Sequence, residues 1–238
     1  MAVERVRSWI ASLDEMLKGG IPVDSNLALL ADPDVSVELF LQSFAYQGLR
    51  DGEGLIYSSA TKPPDRIRKE FAHWNRDLRE FERDGQVIFV NMADTSSKGQ
   101  NVINVDSRDY TGVSVGINEA IDMLDPELYP RVRGLCDSTG DALFTLDLAS
   151  VLKFAETRRA KRREKPMVSL HTLLSGIRDD LVEPFRHHAD GVFEIAVEAT
   201  EEEIIRRFRV SKMHFTGFDD RTRRLIVTEG DIQVLPFF

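Results

Sequence analysis

Short apolar runs of strand length alternate with helix-length segments through most of this chain, and that alternation constrains the fold more than any other feature. The runs lie at residues 27–30, 54–58, 86–90, 143–147 and 167–173. Helical spacing or helix-start signals follow at 37–49, 63–84, 113–124, 149–164 and 177–188. Strands joined through helices form a parallel sheet with both faces covered. After Asp190 the pattern changes: 191–197, 204–214, 225–228 and 232–235 read as strands separated by short turns, an antiparallel tail. At the front, Val6, Trp9, Ile10, Leu13 and Leu17 have helical spacing, and Gly19-Gly20 ends that segment. The polar stretch 91–110, with Ser96-Ser97-Lys98-Gly99, reads as a mobile loop. The expectation is one α/β domain over residues 1–238, with a mainly parallel central sheet flanked by helices and a C-terminal antiparallel extension.

Composition narrows the function classes. A chain of 238 residues builds a core without disulfide staples, and the lone Cys136 provides neither an internal disulfide nor a cysteine metal site. A net charge of −9 supplies no broad basic field, which weighs against nucleic acid as the main partner. The N-terminus lacks a signal-like apolar run, and no stretch reaches the roughly 20 apolar residues of a membrane span. A cytoplasmic location is expected.

The segment Ser25 to Phe44 reads as strand, tight turn (Asp32-Pro33-Asp34), helix. At the start of an α/β chain this is where a phosphate-binding loop sits. Several other segments then match one family in order. Ser12-Leu13-Asp14-Glu15-Met16-Leu17-Lys18-Gly19-Gly20-Ile21-Pro22 resembles its opening motif. His188-Ala189-Asp190-Gly191-Val192-Phe193 is similar to its Ala-Asp-Gly-Val segment, and Arg209-Val210-Ser211-Lys212-Met213-His214 to its Lys-Met-Arg strand. Leu143 to Asp147, followed by Leu148-Ala149-Ser150, resembles a Walker B strand with its D-S-L continuation. The chain thus resembles the KaiC-like branch of the RecA/RadA superfamily of P-loop ATPases, which implies a RecA-like sheet.

The loop departs from that family. A Walker A loop, G-x-x-x-x-G-K-[ST], curls backbone amides around phosphates, places a lysine on them and puts a hydroxyl on Mg²⁺. Aligned without gaps, those positions hold Ala31, Ser36, Val37 and Glu38, and an additional glycine position holds Asp34. Asp32, Asp34 and Glu38 would meet a triphosphate with like charge, costing several kcal/mol on the order of Coulomb estimates. The strand after the loop ends in Tyr57-Ser58-Ser59-Ala60-Thr61-Lys62, without the family's catalytic glutamate. The expected protein is a degenerate, catalytically inactive member without a cofactor or metal. It acts as a regulatory or interaction subunit of archaeal signalling type, with a second copy or a related KaiC/RecA-like protein as partner. The alternatives are an ATPase or nucleotide-binding protein with non-standard phosphate contacts, and a sensor for a less charged ligand.

Among single residues, Asp147 matches the Walker B aspartate, with capping of the next helix as the simpler reading. The resemblance implies that Lys212 acts in trans on a neighbour's nucleotide, with His214 in the arginine position; a solvated strand lysine is the simpler reading. Asp94 reads as a loop acid, His187-His188 as a pair facing different directions, and Trp74 beside His73 as a partial core contact. The run Arg158 to Arg163 reads as a solvated helix end. Cys136 lies beside Asp137, whose charge raises the thiol pKa, so no nucleophile is expected there.

Overall fold

The computed structural model describes residues 3–33, 35, 37–94, 96–151, 153, 165–200 and 203–237. The first half of the chain forms strands β1 (Arg5–Val6), β2 (Ile21–Pro22), β3 (Asn26–Ala31), β4 (Gly54–Ser59), β5 (Val87–Asn91) and β6 (Val102–Asn104). The second half adds β7 (Val132–Cys136), β8 (Met167–Leu174), β9 (Gly191–Ala199), β10 (Ile204–Met213), β11 (Arg223–Val227) and β12 (Ile232–Leu235). The helices are α1 (Ala11–Met16), α2 (Glu38–Arg50), α3 (Pro64–His73), α4 (Arg79–Arg83), α5 (Tyr110–Met123), α6 (Thr139–Ala142) and α7 (Val182–His188).

Strands β1 and β2 form a small antiparallel ribbon. The others join one ten-stranded sheet in the order β12-β11-β10-β9-β3-β8-β7-β4-β5-β6. Every neighbouring pair from β9 to β6 is parallel. From β9 to β12 the pairs are antiparallel. This is the expected α/β architecture, a large mainly parallel sheet with antiparallel strands at its C-terminal end. Alternation splits each central strand between two cores. Leu27, Leu29, Leu55, Tyr57, Leu135, Leu170 and Phe193 join the larger core with α2, whereas Ile56, Ile88, Val90, Val132 and Met167 pack near α5.

Helix α2 is buried on nearly all sides, with Gln42, Ser43, Gln47 and Gly48 enclosed as well as Leu39, Phe40, Leu41 and Phe44. Its tightest contact is with Arg133 in the middle of β7, whose side chain has no exposed surface. Arg133 Nε donates to Glu53 Oε2 at 2.6 Å. One terminal nitrogen donates to Phe44 O at 2.6 Å, and the other to Arg7 O at 2.8 Å. The guanidinium also sits over the Phe44 ring, 4.7 Å from its centroid.

Four sequence expectations change. The run 143–147 is a turn, because Leu143 alone is buried while Phe144 is 64% exposed, a pattern no sheet strand would show. The strand lies earlier, at Val132–Cys136, where a central arginine and Gly134 interrupt the apolar signal. The helix expected over 63–84 breaks into α3 and α4 at Asn75, which adopts a left-handed conformation (φ 56). The stretch 91–110 contains β6, which extends the sheet by parallel pairing with β5, and an Asn91 Nδ2 to Asn104 Oδ1 bond of 2.7 Å joins the two strands as well. The N-terminal helix is also shorter, starting at Ala11 after the β1 strand. The whole charge run Arg158–Arg163, and most of the helix expected over 149–164, lie outside the described residues; 148–151 is helical.

Gly48 tests the Arg133 contact. A Cβ there would lie 2.4 Å from Arg133 Cδ and 2.5 Å from Nε, and the bonded guanidinium has no room to retreat. In an ordinary helix interior, Gly→Ala gains about 1 kcal/mol. Here overpacking of about 1–3 kcal/mol opposes it. Gly48→Ala is expected to lower the urea midpoint with an unchanged slope.

Candidate functional site

The carboxyl ends of β3, β4 and β7 meet the first turns of α2 and α3, and this edge carries the candidate site. The loop leaving β3 is closed on itself. Val35 N donates to Asp32 O at 3.1 Å, and Val37 N donates to Val35 O at 2.8 Å. Pro33 has no amide proton to offer. Val35 and Val37 are buried, at 4% and 6% exposure. Ala31, the first position of the loop, is buried as the last residue of β3. Asp34 and Ser36 lie outside the described residues.

Asp32 does not point at the phosphate position. Its Oδ2 accepts from Val197 N at 2.9 Å and its Oδ1 from Ser175 Oγ at 3.1 Å. Its own amide donates to Ile195 O at 3.1 Å. The expected repulsion between Asp32 and a polyanion is therefore corrected: this acid stitches the ends of β3, β8 and β9 together.

Glu38, at the loop's hydroxyl position, opens α2, where a negative charge is favoured by the helix dipole. Its Oε1 lies 3.4 Å from Lys62 Nζ, and Glu70 Oε2 of α3 lies 3.1 Å from the same nitrogen. Burial works against the Lys62 charge, but Glu38, Asp137 and Glu70 outweigh it and hold its pKa above the ordinary lysine value. Lys62 reaches this position because its amide and that of Thr61 donate to Ser59 Oγ, at 3.0 and 3.3 Å, in a tight turn leaving β4.

Behind Lys62 lies Asp137, the residue that follows β7. Tyr57 Oη donates to Asp137 Oδ2 at 3.2 Å, and Ser138 Oγ donates to Asp137 Oδ1 at 2.8 Å. Ser138 Oγ also accepts from Ala60 N at 2.8 Å, tying β7 to the end of β4. Burial raises the Asp137 pKa, while Ser59, Ser138, Lys62 and Tyr57 pull it down. Burial and the neighbouring Asp137 push the Tyr57 hydroxyl well above its ordinary value, so it remains a donor. An acid followed by serine at the end of a central strand fits the Walker B pattern better than Asp147. Asp147 is a helix cap: its Oδ1 accepts from Ser150 N at 2.8 Å and its Oδ2 from Ser150 Oγ at 2.9 Å. The turn before it is clamped by Arg178, which donates to Leu143 O and, at 2.9 Å, to Leu146 O. Asp137, Tyr57, Glu70 and Lys62 escaped sequence reasoning as a group; the one available signal was Asp137-Ser138 after a short run ending in Cys136.

Lys212 is engaged within its own chain. Its Nζ donates to His187 O at 2.9 Å and to Arg186 O at 3.1 Å, the last-turn carbonyls of α7. A bulge at Ser211 aims the side chain there. His214 Nδ1 stands 3.5 Å from Asp190 Oδ1, and Asp190 Oδ2 accepts from Asn26 N at 2.9 Å, so the Ala-Asp-Gly-Val segment anchors the start of β3. Asp94 organises its loop by accepting from Ser96 N and Ser97 N. Burial pushes the Cys136 thiol up to about 11, and Asp137 adds a smaller push in the same direction. Among the described residues, no group of three or more His, Cys, Asp or Glu is placed to hold a metal ion, and no helix is long and apolar enough to cross a membrane. A second concavity, lined by Ile56, Val113, Ile117, Met167 and Phe185, opens on the other face of the sheet from Tyr57 and has no carboxylate, lysine or arginine among its described lining residues.

The nucleotide and magnesium that the resemblance implies do not fit these residues. The lysine position holds a buried valine, the described loop amides of Val35 and Val37 are bonded within the loop, and the hydroxyl position holds a glutamate paired to Lys62.

Comparison with known proteins gives a consistent lineage. The family model described as "ATPase: KaiC" matches residues 6–139, a span that takes in Asp137-Ser138 and stops short of Asp147. A UPF0273 protein of Aeropyrum pernix is 25% identical over 98% of this chain and 94% of its own length. A UPF0273 protein of Methanopyrus kandleri is also 25% identical, over 99% and 94%. The crystal structure of a KaiC-like protein from Pyrococcus horikoshii superposes with a TM-score of 0.82 at 19% identity, covering 99% of this chain and 100% of that one.

Two outcomes test the geometry. Because the folded pKa of Asp137 stands above its unfolded value, its contribution to stability is full below the ordinary aspartate pKa and is lost as pH rises through the folded value. Asp137→Asn is therefore expected to gain on the wild type with rising pH across that window, read from urea midpoints at a series of pH values. Lys212→Ala removes a charged cap and is expected to cost about 1.5–3 kcal/mol of stability in the isolated chain; a purely intersubunit lysine would leave that stability unchanged.

Proposed function

We propose that this chain, which belongs to the KaiC family of ATPases, is a member that does not hydrolyse ATP and serves as a regulatory or interaction subunit. The observation that carries the reading is Val37, buried where the phosphate lysine would stand, in a loop whose described amides bond to the loop itself. A phosphate chain needs converging donors at this point, and the amides of Val35 and Val37 are bonded within the loop. Lys62 is engaged by Glu38, the first residue of α2, and by Glu70.

What remains is a sheet scaffold. Its partner is a second copy or a related KaiC-like protein, and its role is in regulation or signalling. The UPF0273 relatives align along nearly the whole of this chain.

Calorimetry with magnesium ATP tests the reading. No binding tighter than about 0.1 mM, about −5.5 kcal/mol, is expected. Tighter binding, or phosphate release above background, would favour an ATPase with non-standard phosphate contacts. Light scattering of the chain alone, and of a mixture with a KaiC-like relative, reads the assembly.

A further inference from the structure

We infer that the concavity on the α5 side of the sheet is a binding site for a small neutral aromatic molecule that offers a hydrogen-bonding group to Ser58 Oγ. The site lies on the opposite face of the sheet from Tyr57 and Val37, so it is independent of the non-hydrolysing reading.

Strand register builds the floor of the cavity. Ser58 of β4 stands beside Cys136 of β7, and Cys136 beside His171 of β8. In the row before it, Ile56 stands beside Gly134, Gly134 beside Ser169, and Ser169 beside Asn26 of β3. Side chains of α5, α6 and α7, among them Val113, Ile117, Ala142 and Phe185, wall a volume of about 100 Å³. An engineered apolar cavity of about 150 Å³ takes up benzene, so this volume is of the order of a single ring. Met92 and Met167 also line it, as do the rings of His171 and Phe185, which meet edge-on at 6.3 Å and 62°. Sulfur and ring edges favour an aromatic guest. Among the described lining residues there is no Asp, Glu, Lys or Arg, and burial keeps the Cys136 thiol protonated, so a charged guest would lose its hydration without gaining a fixed counter-charge.

Two residues point to a guest instead of a packing gap. Ser58 is 6% exposed, lines the cavity, and its hydroxyl has no hydrogen-bond partner among the described residues. Polar groups around it are engaged: Ser169 Oγ donates to Asn26 Oδ1 at 3.0 Å, and Thr139 Oγ1 to Cys136 O at 3.5 Å. A buried hydroxyl without a partner is costly, and a polar group on a ligand would remove that cost. The second residue is Gly134, which is only half-buried although β7 is flanked by β4 and β8. A Cβ there would lie 3.4 Å from Ser169 Cβ and 3.5 Å from Met167 Sδ, ordinary contact distances, and the backbone is not left-handed. Neither space nor conformation calls for glycine at this position. Glycine inside a strand weakens it, and such a glycine marks a place where a ligand comes close to the backbone. Here the missing side chain lets the cavity reach the strand itself.

Calorimetry and thermal melting with phenol, benzene and benzoate test the site. The wild type is expected to bind one phenol per chain with a Kd of about 1 mM or tighter. Benzene should bind at least about threefold more weakly, because it makes no hydrogen bond to Ser58, and benzoate should not bind. The phenol hydroxyl sheds water on entry, so phenol outranks benzene only where a partner meets it. Ser58→Ala should weaken phenol at least about threefold and leave benzene unchanged. Gly134→Ala should keep or raise the thermal midpoint, as expected for a strand interior, and weaken both guests at least about threefold as its methyl fills the floor. Gly134→Val should abolish binding of both; if that variant does not fold, Gly134→Ala decides. The inference is overturned if neither phenol nor benzene binds the wild type, if benzoate binds as tightly as phenol, if Ser58→Ala leaves phenol unchanged, or if Gly134→Ala leaves both guests unchanged.

Discussion

The enclosed guanidinium of Arg133 is the interaction on which the rest of the structure depends. A buried cation is tolerated only when its donors are matched and a negative charge stands beside it. Arg133 meets both conditions by drawing on three parts of the chain: Glu53 at the start of β4, the Phe44 carbonyl inside α2, and the Arg7 carbonyl beside β1. Those parts become fixed relative to β7. Helix α2 has to approach closely, which is why a glycine stands at 48, and strand β7 is held between β4 and β8 with its end beside Tyr57. The position of Asp137, and through it the polar cluster, follows from an ion pair deep beneath the sheet edge. Such pairs need not raise stability over an apolar replacement; their clearer effect is to exclude other packings.

At the site, two opposing physical demands are met inside one chain. Burial favours the neutral forms of Asp137 and Lys62, and their mutual attraction favours the charged ones. The outcome differs for the two groups. Lys62, paired with Glu38 and Glu70 and drawn on by the Asp137 charge, keeps its own charge, whereas burial leaves Asp137 easier to protonate than a free aspartate. The described residues that flank the turn are held from several directions. Glu38 is fixed through Lys62, Val35 and Val37 are fixed through the core, and Asp32 is fixed through β8 and β9, so residues on either side of the turn are held by the protein itself.

The sheet and its antiparallel tail were legible in the sequence because their strands are apolar and bounded by turns. Strand β7 was not, since the arginine at its centre and the glycine after it look like loop residues until the ion pair with Glu53 is seen. The run at 143–147 misled for the opposite reason: leucine, phenylalanine and threonine favour strands intrinsically, yet local preference yields to packing, and this segment is held as a turn by Arg178. The same substitution of loop for strand carried the Walker B assignment to Asp147, ten residues too late. At the phosphate loop, Ala31, Val37 and Glu38 were readable as losses. The gain of Lys62 was not, because its partners come from α2, α3 and β7 and share no spacing in sequence.

Taken together, Val37, Lys62 and Lys212 show how the chain differs from what its resemblance implies. Each stands at or beside a position where an outward-facing group would meet a nucleotide or a neighbouring subunit. Val37 turns into the core, Lys62 is surrounded by carboxylates, and Lys212 closes the end of its own helix. These are independent contacts in different elements, and they share one physical result: the charge or surface is satisfied internally. Replacing Val37 by lysine would not undo that result, because a new ammonium there would leave the apolar core, enter a pocket already neutralised by Lys62, and still find Pro33 without an amide and the amides of Val35 and Val37 bonded within the loop. On the proposed reading, the loss of phosphate binding would therefore be distributed over the fold and would not reside in one missing side chain.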